Sequence, residues 1–113
     1  MSPDRDRLHL HDILDAGEAI LSFTRDGREA FLENRMARDA VLRNLTVMGE
    51  ATKRLSPALR ERYPHVPWRD VAGLRDIVIH RYEWVDYEEV WRIVENDLDR
   101  LLGDIRAIVK DRG

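Results

Sequence analysis

The chain of 113 residues contains no cysteine. That excludes disulfides and thiolate chemistry, and it accords with a reducing compartment. Long apolar runs are also missing: none approaches the roughly 18 residues of a membrane span. The opening "MSPDRDRLHLHDIL" mixes charges of both signs and has no extended apolar region, so it does not read as a secretory signal. There is no internal repeat and no low-complexity linker. A cytoplasmic protein with no membrane contact is expected.

What is present is ample for folding. Apolar residues make up 43% of the chain and charged residues 36%, the balance of a soluble folded protein rather than a disordered one. The length, residues 1–113, suits one domain with a core of its own. The net charge of −3 argues against indiscriminate nucleic-acid binding, yet its distribution is uneven. Residues 1–34 carry −4, residues 35–62 carry +4, residues 63–82 carry +1 and residues 83–113 carry −4. A basic middle between acidic ends could offer phosphates a local patch, although arginines on the wet side of a helix would give the same pattern.

Helical periodicity dominates. Ser2-Pro3 is a cap followed by proline at the first helical position, and Leu10, Ile13, Leu14, Gly17, Ile20 and Leu21 then follow three-and-four spacing up to the Asp26-Gly27 turn. A second helix, entered through a short turn around Phe31-Leu32, carries Val41, Leu45, Met48, Thr52 and Leu55 on one stripe. Ser56-Pro57 repeats the cap-then-proline start for a short helix that stops before Tyr63-Pro64. Asp86 and Glu89 read as a capping box, and Val90, Val94, Leu98, Leu101, Ile105 and Ile108 make a long seam behind them. An all-α, up-and-down bundle of four main helices plus short ones follows.

One segment resists easy reading: "GLRDIVIHRY", residues 73–82. Its β-branched run favours a strand in isolation. A lone strand among helices would leave its backbone groups without partners, so a helix beginning near Pro67-Trp68 is predicted. With about 100° per residue, Val71, Leu74, Ile77 and Val78 share a core face, while Arg75, Asp76, His80 and Tyr82 lie outside it. Asp76 and His80 are spaced i and i+4, within reach of one another, which would favour the protonated imidazole. Arg75 and His80 stand about 140° apart on one helix. They could converge if a second copy of the helix faced the first across a two-fold axis. Paired Arg and His side chains would suit a phosphodiester: Arg to hold phosphate and stabilise developing charge, His to exchange protons near neutral pH. RNA brings its own nucleophile, the 2′-hydroxyl. Taken alone, the same residues are also what surface ion pairs beside a core stripe look like.

The spacing Arg75-x4-His80-x-Tyr82 resembles the signature of HEPN-domain toxins of the HepT type. The blocks "RNLTVMGEATKRLSP" (43–57), "VPWRDVAGLRDIVIHRY" (66–82) and "VDYEEVWRIVENDL" (85–98) resemble that family in the same order, and the likeness spans about residues 8–109. The resemblance implies a HEPN-like helical bundle that forms a symmetric dimer with the signature helices at a shared cleft. It implies a metal-independent endoribonuclease, without cofactor, serving as the toxin of a toxin–antitoxin module. Its partner would be a minimal nucleotidyltransferase of the MNT type that silences it by adding AMP to a tyrosine. Carried onto this chain, Arg75 and His80 are the catalytic pair, Asp76 supports them, and Tyr82 is the modified residue. The competing reading is a non-catalytic helical module that binds or regulates a nucleotidyltransferase or a nucleotide.

Other residues carry weaker signals. His9 and His11 diverge on a helix and cannot chelate one metal together. Trp68, Trp84 and Trp91 are expected in core or dimer packing more than in base stacking. Gly73 would permit close helix approach across a dimer. Glu50, following Gly49 on the second helix, could lie near the cleft, though the sequence assigns it no definite role.

Overall fold

The structure, a computed structural model, describes residues 3–80 and 85–112, with side chains described for 5–77 and 85–112. The described residues form helices and turns without strands. The elements are α1 (Pro3–Phe23), α2 (Arg28–Glu33), α3 (Arg35–Arg54), α4 (Pro57–Arg62), α5 (Trp68–His80), α6 (Tyr87–Ile93) and α7 (Asp99–Arg112). A π-helical turn, Val94–Leu98, joins α6 to α7. Four main rods result: α1, α3, α5 and the continuous α6–α7 arm. This is the all-α architecture read from the periodicity.

Helix boundaries follow local chemistry. Gly27 adopts φ 96°, a left-handed value that favours glycine, and makes the corner between α1 and α2. The short turn expected around Phe31-Leu32 is a six-residue helix, α2. Asn34 caps α3 by accepting from the Ala37 N–H at 3.1 Å. Ser56 caps α4 by accepting from the Leu59 N–H, with Pro57 at the first helical position. Asp86 caps α6 and accepts from the Glu88 and Glu89 N–H groups. The reciprocal half of the expected capping box is replaced: the Glu89 carboxylate pairs with Arg92 at 3.1 Å. Ser2, the expected cap of α1, lies outside the described residues.

The core is one cluster of buried side chains running from Leu10 to Ile108. α1 lies against α3, and α7 lies along α1. Ile13 and Ile20 are sealed from solvent, as are Val41, Met48, Leu102 and Ile105. The α3 stripe Val41, Leu45, Met48, Thr52 and Leu55 is buried throughout, and Thr52 satisfies its hydroxyl by donating to the Met48 carbonyl at 2.8 Å. The buried Asp6 carboxylate on α1 accepts from both the backbone N–H and the hydroxyl of Ser56, at 2.8 and 2.6 Å. It ties the first helix to the start of α4.

Candidate functional site

The candidate site is built on α5, whose start is pinned by the turn before it. The Trp68 indole Nε1 donates to the Tyr63 carbonyl at 2.9 Å, and the Trp68 backbone N–H donates to the Val66 carbonyl at 2.8 Å. Trp68 is buried, so it is a structural anchor rather than a stacking platform. Tyr63 is held in turn by its hydroxyl, which donates to Asp111 near the end of α7 at 2.5 Å. That hydrogen bond, aided by burial, raises the phenol above the usual tyrosine pKa of 10.0.

α5 packs on α3. Val71 and Leu74 point into the core and Ile77 is half-buried against it, as the helical reading of this segment requires. The Val78 side chain, the fourth member of the expected core face, lies outside the described residues. The backbones of α3 and α5 come close together at Gly49. A Cβ built there would stand 2.8 Å from the Cβ and backbone N of Arg75, and 3.0 Å from the carbonyl oxygen of Ala72. Gly49 therefore permits the close approach of α5 to α3, as Gly17 makes room on α1 for Leu102 of α7. Gly73 meets nothing within 4 Å and faces open space.

This seating decides where Arg75 goes. Its Nε is shut off from solvent and lies in ion-pair contact with the Glu50 Oε1 of α3 without forming a hydrogen bond, while about a third of the whole side chain remains exposed. One residue along α5, Asp76 pairs with Lys53 of α3 at 3.8 Å. Two cross-helix ion pairs of opposite polarity thus join the same stretch of α3 to the same stretch of α5. The second is half-exposed on both sides and contributes little stability. The expected pairing of Asp76 with His80 falls on a side chain outside the described residues. His80 is the last residue of α5, and its side chain lies outside the described residues. Tyr82 and Trp84 also lie outside them.

Two grooves flank α5. The larger, of about 650 Å³, runs between α5 and the α6–α7 arm, with Leu74 and Ile77 on one wall and Ile93, Val94 and Leu98 on the other. The second, of about 620 Å³, lies between α4, α5 and the end of α3. Lys53, Arg60 and Arg69 line it together with Glu61 and Asp76. The basic middle of the sequence therefore becomes a mixed surface beside the Arg75 region. The remaining candidates fall elsewhere. His9 is partly buried, with Nδ1 at 4.0 Å from Asp12, and His11 faces solvent. Trp91 packs on Phe31 with ring centroids 5.9 Å apart and donates to Glu95 at 3.2 Å. Among the described residues no helix is long and apolar enough to cross a membrane.

The family model described as ribonuclease HepT-like matches residues 13–108. The chain belongs to the HepT-like ribonuclease family. A candidate RNase of Methanocaldococcus jannaschii is 40% identical over 111 residues, covering 96% of each chain. A second candidate RNase of that organism is 37% identical over 100 residues, 88% of this chain and 92% of its own. The probable ribonuclease HepT of Thermococcus cleftensis is 37% identical over 103 residues, 90% of this chain and 94% of its own. No solved structure matches the chain. Within this HepT-like chain, Arg75 is the signature residue with a fully described setting. The sequence reading left Glu50, its partner, without a role. The signal that could have found it is the small Gly49 beside an acidic residue on an otherwise well-filled stripe.

Proposed function

We propose that this chain is an endoribonuclease, the toxin of a toxin–antitoxin module, acting in the cytoplasm as a symmetric homodimer. The observation that carries the reading is membership of the HepT-like ribonuclease family over residues 13–108, in a chain that keeps Arg75, His80 and Tyr82 at the signature spacing. The relatives named as RNases point the same way.

The chemistry follows from the residue types. The RNA 2′-oxygen attacks the adjacent phosphorus while the bond from phosphorus to the 5′-oxygen breaks. The products are a 2′,3′-cyclic phosphate and a free 5′-hydroxyl. One proton must leave the 2′-hydroxyl and another must reach the departing 5′-oxygen. His80, present twice in a dimer, is suited to both transfers because imidazole exchanges protons near neutral pH. Arg75 contributes charge-assisted hydrogen bonds to the phosphate as negative charge builds on it. Because the substrate supplies the nucleophile, the reaction needs neither a metal-bound hydroxide nor a protein nucleophile. Asp76, on the signature helix and paired with Lys53 of α3, supports the pair by its charge.

The 140° separation of Arg75 and His80 on one helix favours a cleft shared by two copies. Silencing is assigned to an MNT-type nucleotidyltransferase that adds AMP to Tyr82. Phosphate and bulk two residues beyond His80 would compete for Arg75 and repel RNA.

The test is RNA cleavage in EDTA by wild type, Arg75→Ala and His80→Ala. Cleavage by wild type and its loss in both variants, with helicity and dimerisation kept, is the expected result. Wild-type rates in folded His80→Ala would remove the catalytic assignment. A wild type that cuts no RNA, with variants that alter only complex stability, would favour the non-catalytic module.

A further inference from the structure

We propose that Glu50 is a positioning residue for Arg75, holding the Nε side of the guanidinium by its charge so that the terminal Nη groups are left for the RNA phosphate. The inference rests on the ribonuclease reading of the site and extends it to a residue on a different helix.

Arginine carries five N–H donors in a rigid planar fork: one on Nε and two on each Nη. A bidentate grip on a phosphate uses donors along one edge of that plane. An arginine free to turn about its side-chain torsions must be ordered before it can present such an edge. Ordering a long side chain costs up to about 2 kcal/mol of rotamer entropy. Here the Nε is closed off from solvent and faces the Glu50 carboxylate, while the side chain as a whole stays about one-third exposed. The inner nitrogen is in ion-pair contact with the carboxylate, without hydrogen-bond geometry, and the exposure falls to the rest of the side chain.

The backbone beneath enforces the arrangement. Gly49, next to Glu50, lets the main chain of α5 rest against α3 at Arg75 itself. The Cα positions of the two partners are therefore set by a direct helix–helix contact rather than by long side chains reaching across space. The Lys53–Asp76 pair, one turn further along α3, crosses between the same two helices with reversed polarity, although it is half-exposed and adds little to the hold. Glu50 and Arg75 are comparably exposed, at 37% and 35%, so the pair sits at the edge of solvent where a substrate can reach it. Glu50 itself need touch no substrate: it acts through the arginine.

The experiment compares Glu50→Leu and Glu50→Gln in the full chain, reading single-turnover RNA cleavage and the NMR resonance of the Arg75 Nε–H group, assigned by its absence in Arg75→Lys. Leucine keeps the bulk and removes the acceptor, whereas glutamine keeps an acceptor at the same reach. Glu50→Leu should lower the rate constant about 10- to 100-fold, the scale of a misplaced catalytic group, and should shift the Nε–H resonance. Apparent substrate affinity should change much less than the rate. Glu50→Gln should recover most of the rate and restore the resonance. A residue serving packing alone would not give that order: Leu would be tolerated at least as well as Gln. A Glu50→Leu variant that cleaves at the wild-type rate overturns the proposal while leaving the ribonuclease reading intact. So does one that loses rate without moving the Arg75 resonance. A wild type that cleaves no RNA overturns the ribonuclease reading, and this role of Glu50 falls with it.

Discussion

Gly49 and Arg75 touch through their backbones: a Cβ on the glycine would lie 2.8 Å from the Cβ and N of the arginine. The opposing atoms belong to the main chain and to the root of a side chain, so no flexible tip can move aside. Gly49→Ala must therefore push α5 off α3. The expected cost is that of overpacking, about 1–3 kcal/mol, visible as a fall of several degrees in melting temperature. Cleavage should fall as well, because the displaced helix carries Arg75. Gly103→Ala on α7 is the control, since nothing lies within 4 Å of its Cβ. There the helix propensity of alanine should raise stability by up to about 1 kcal/mol.

The open space around Gly73 gives a test of assembly. Within one chain a Cβ at this position has nothing described within 4 Å. If a second copy approaches here, as the shared cleft requires, Gly73→Leu should weaken the dimer while leaving helicity unchanged. Sedimentation velocity over a range of concentrations measures it. An unaltered monomer–dimer equilibrium would move the two-fold axis away from this part of α5.

Co-expression with an MNT-type nucleotidyltransferase should add mass to the wild-type chain in multiples of AMP. The addition should be absent in Tyr82→Phe, which should also stay toxic when the partner is present. Intact-mass spectra provide the measurement. Modification persisting in Tyr82→Phe would relocate the site.

Tyr63 supplies a pH dependence of known sign. Its hydroxyl donates to Asp111, and that bond raises its pKa in the folded chain above the unfolded value of 10.0. A raised folded pKa means that the contribution is fully present below about pH 10 and is lost as pH rises through the folded value. Denaturant titrations of wild type and Tyr63→Phe should therefore differ by a constant amount up to about pH 9. The difference should shrink above pH 10. A gap that widens with rising pH would contradict the assignment.

The sequence shows the rods of this fold more clearly than their contacts. The α3 stripe from Val41 to Leu55 is legible because every three or four residues it returns to the same buried face. The caps at Ser56 and Asp86 are legible because their partners lie two or three residues away. The seating of Arg75 is not, since Glu50 and Arg75 are 25 residues apart and their meeting depends on how two helices pack. The Lys53–Asp76 pair shows the same limit: its partners are 23 residues apart and meet only because α3 and α5 pack together. The long C-terminal seam hid a further feature. Val90, Val94 and Leu98 recur at successive intervals of four, which on a regular helix would carry the stripe about 80° off its face. The wider π turn at Val94–Leu98 absorbs that drift, and both Val94 and Leu98 remain buried.

That π turn has a bearing on chain length. A π turn holds roughly one residue more than the α-helical turn it replaces. Deleting one residue within 94–98 would let the arm close into uninterrupted α-helix, with the segments on either side keeping their facing. Leu102 and Ile105 would still meet α1, and Val90 would still face inward. Elsewhere in the buried stripes a single deletion rotates everything downstream by about 100° and exposes it. The C-terminal arm therefore carries one place where the chain can shorten by a residue without the core registering the loss.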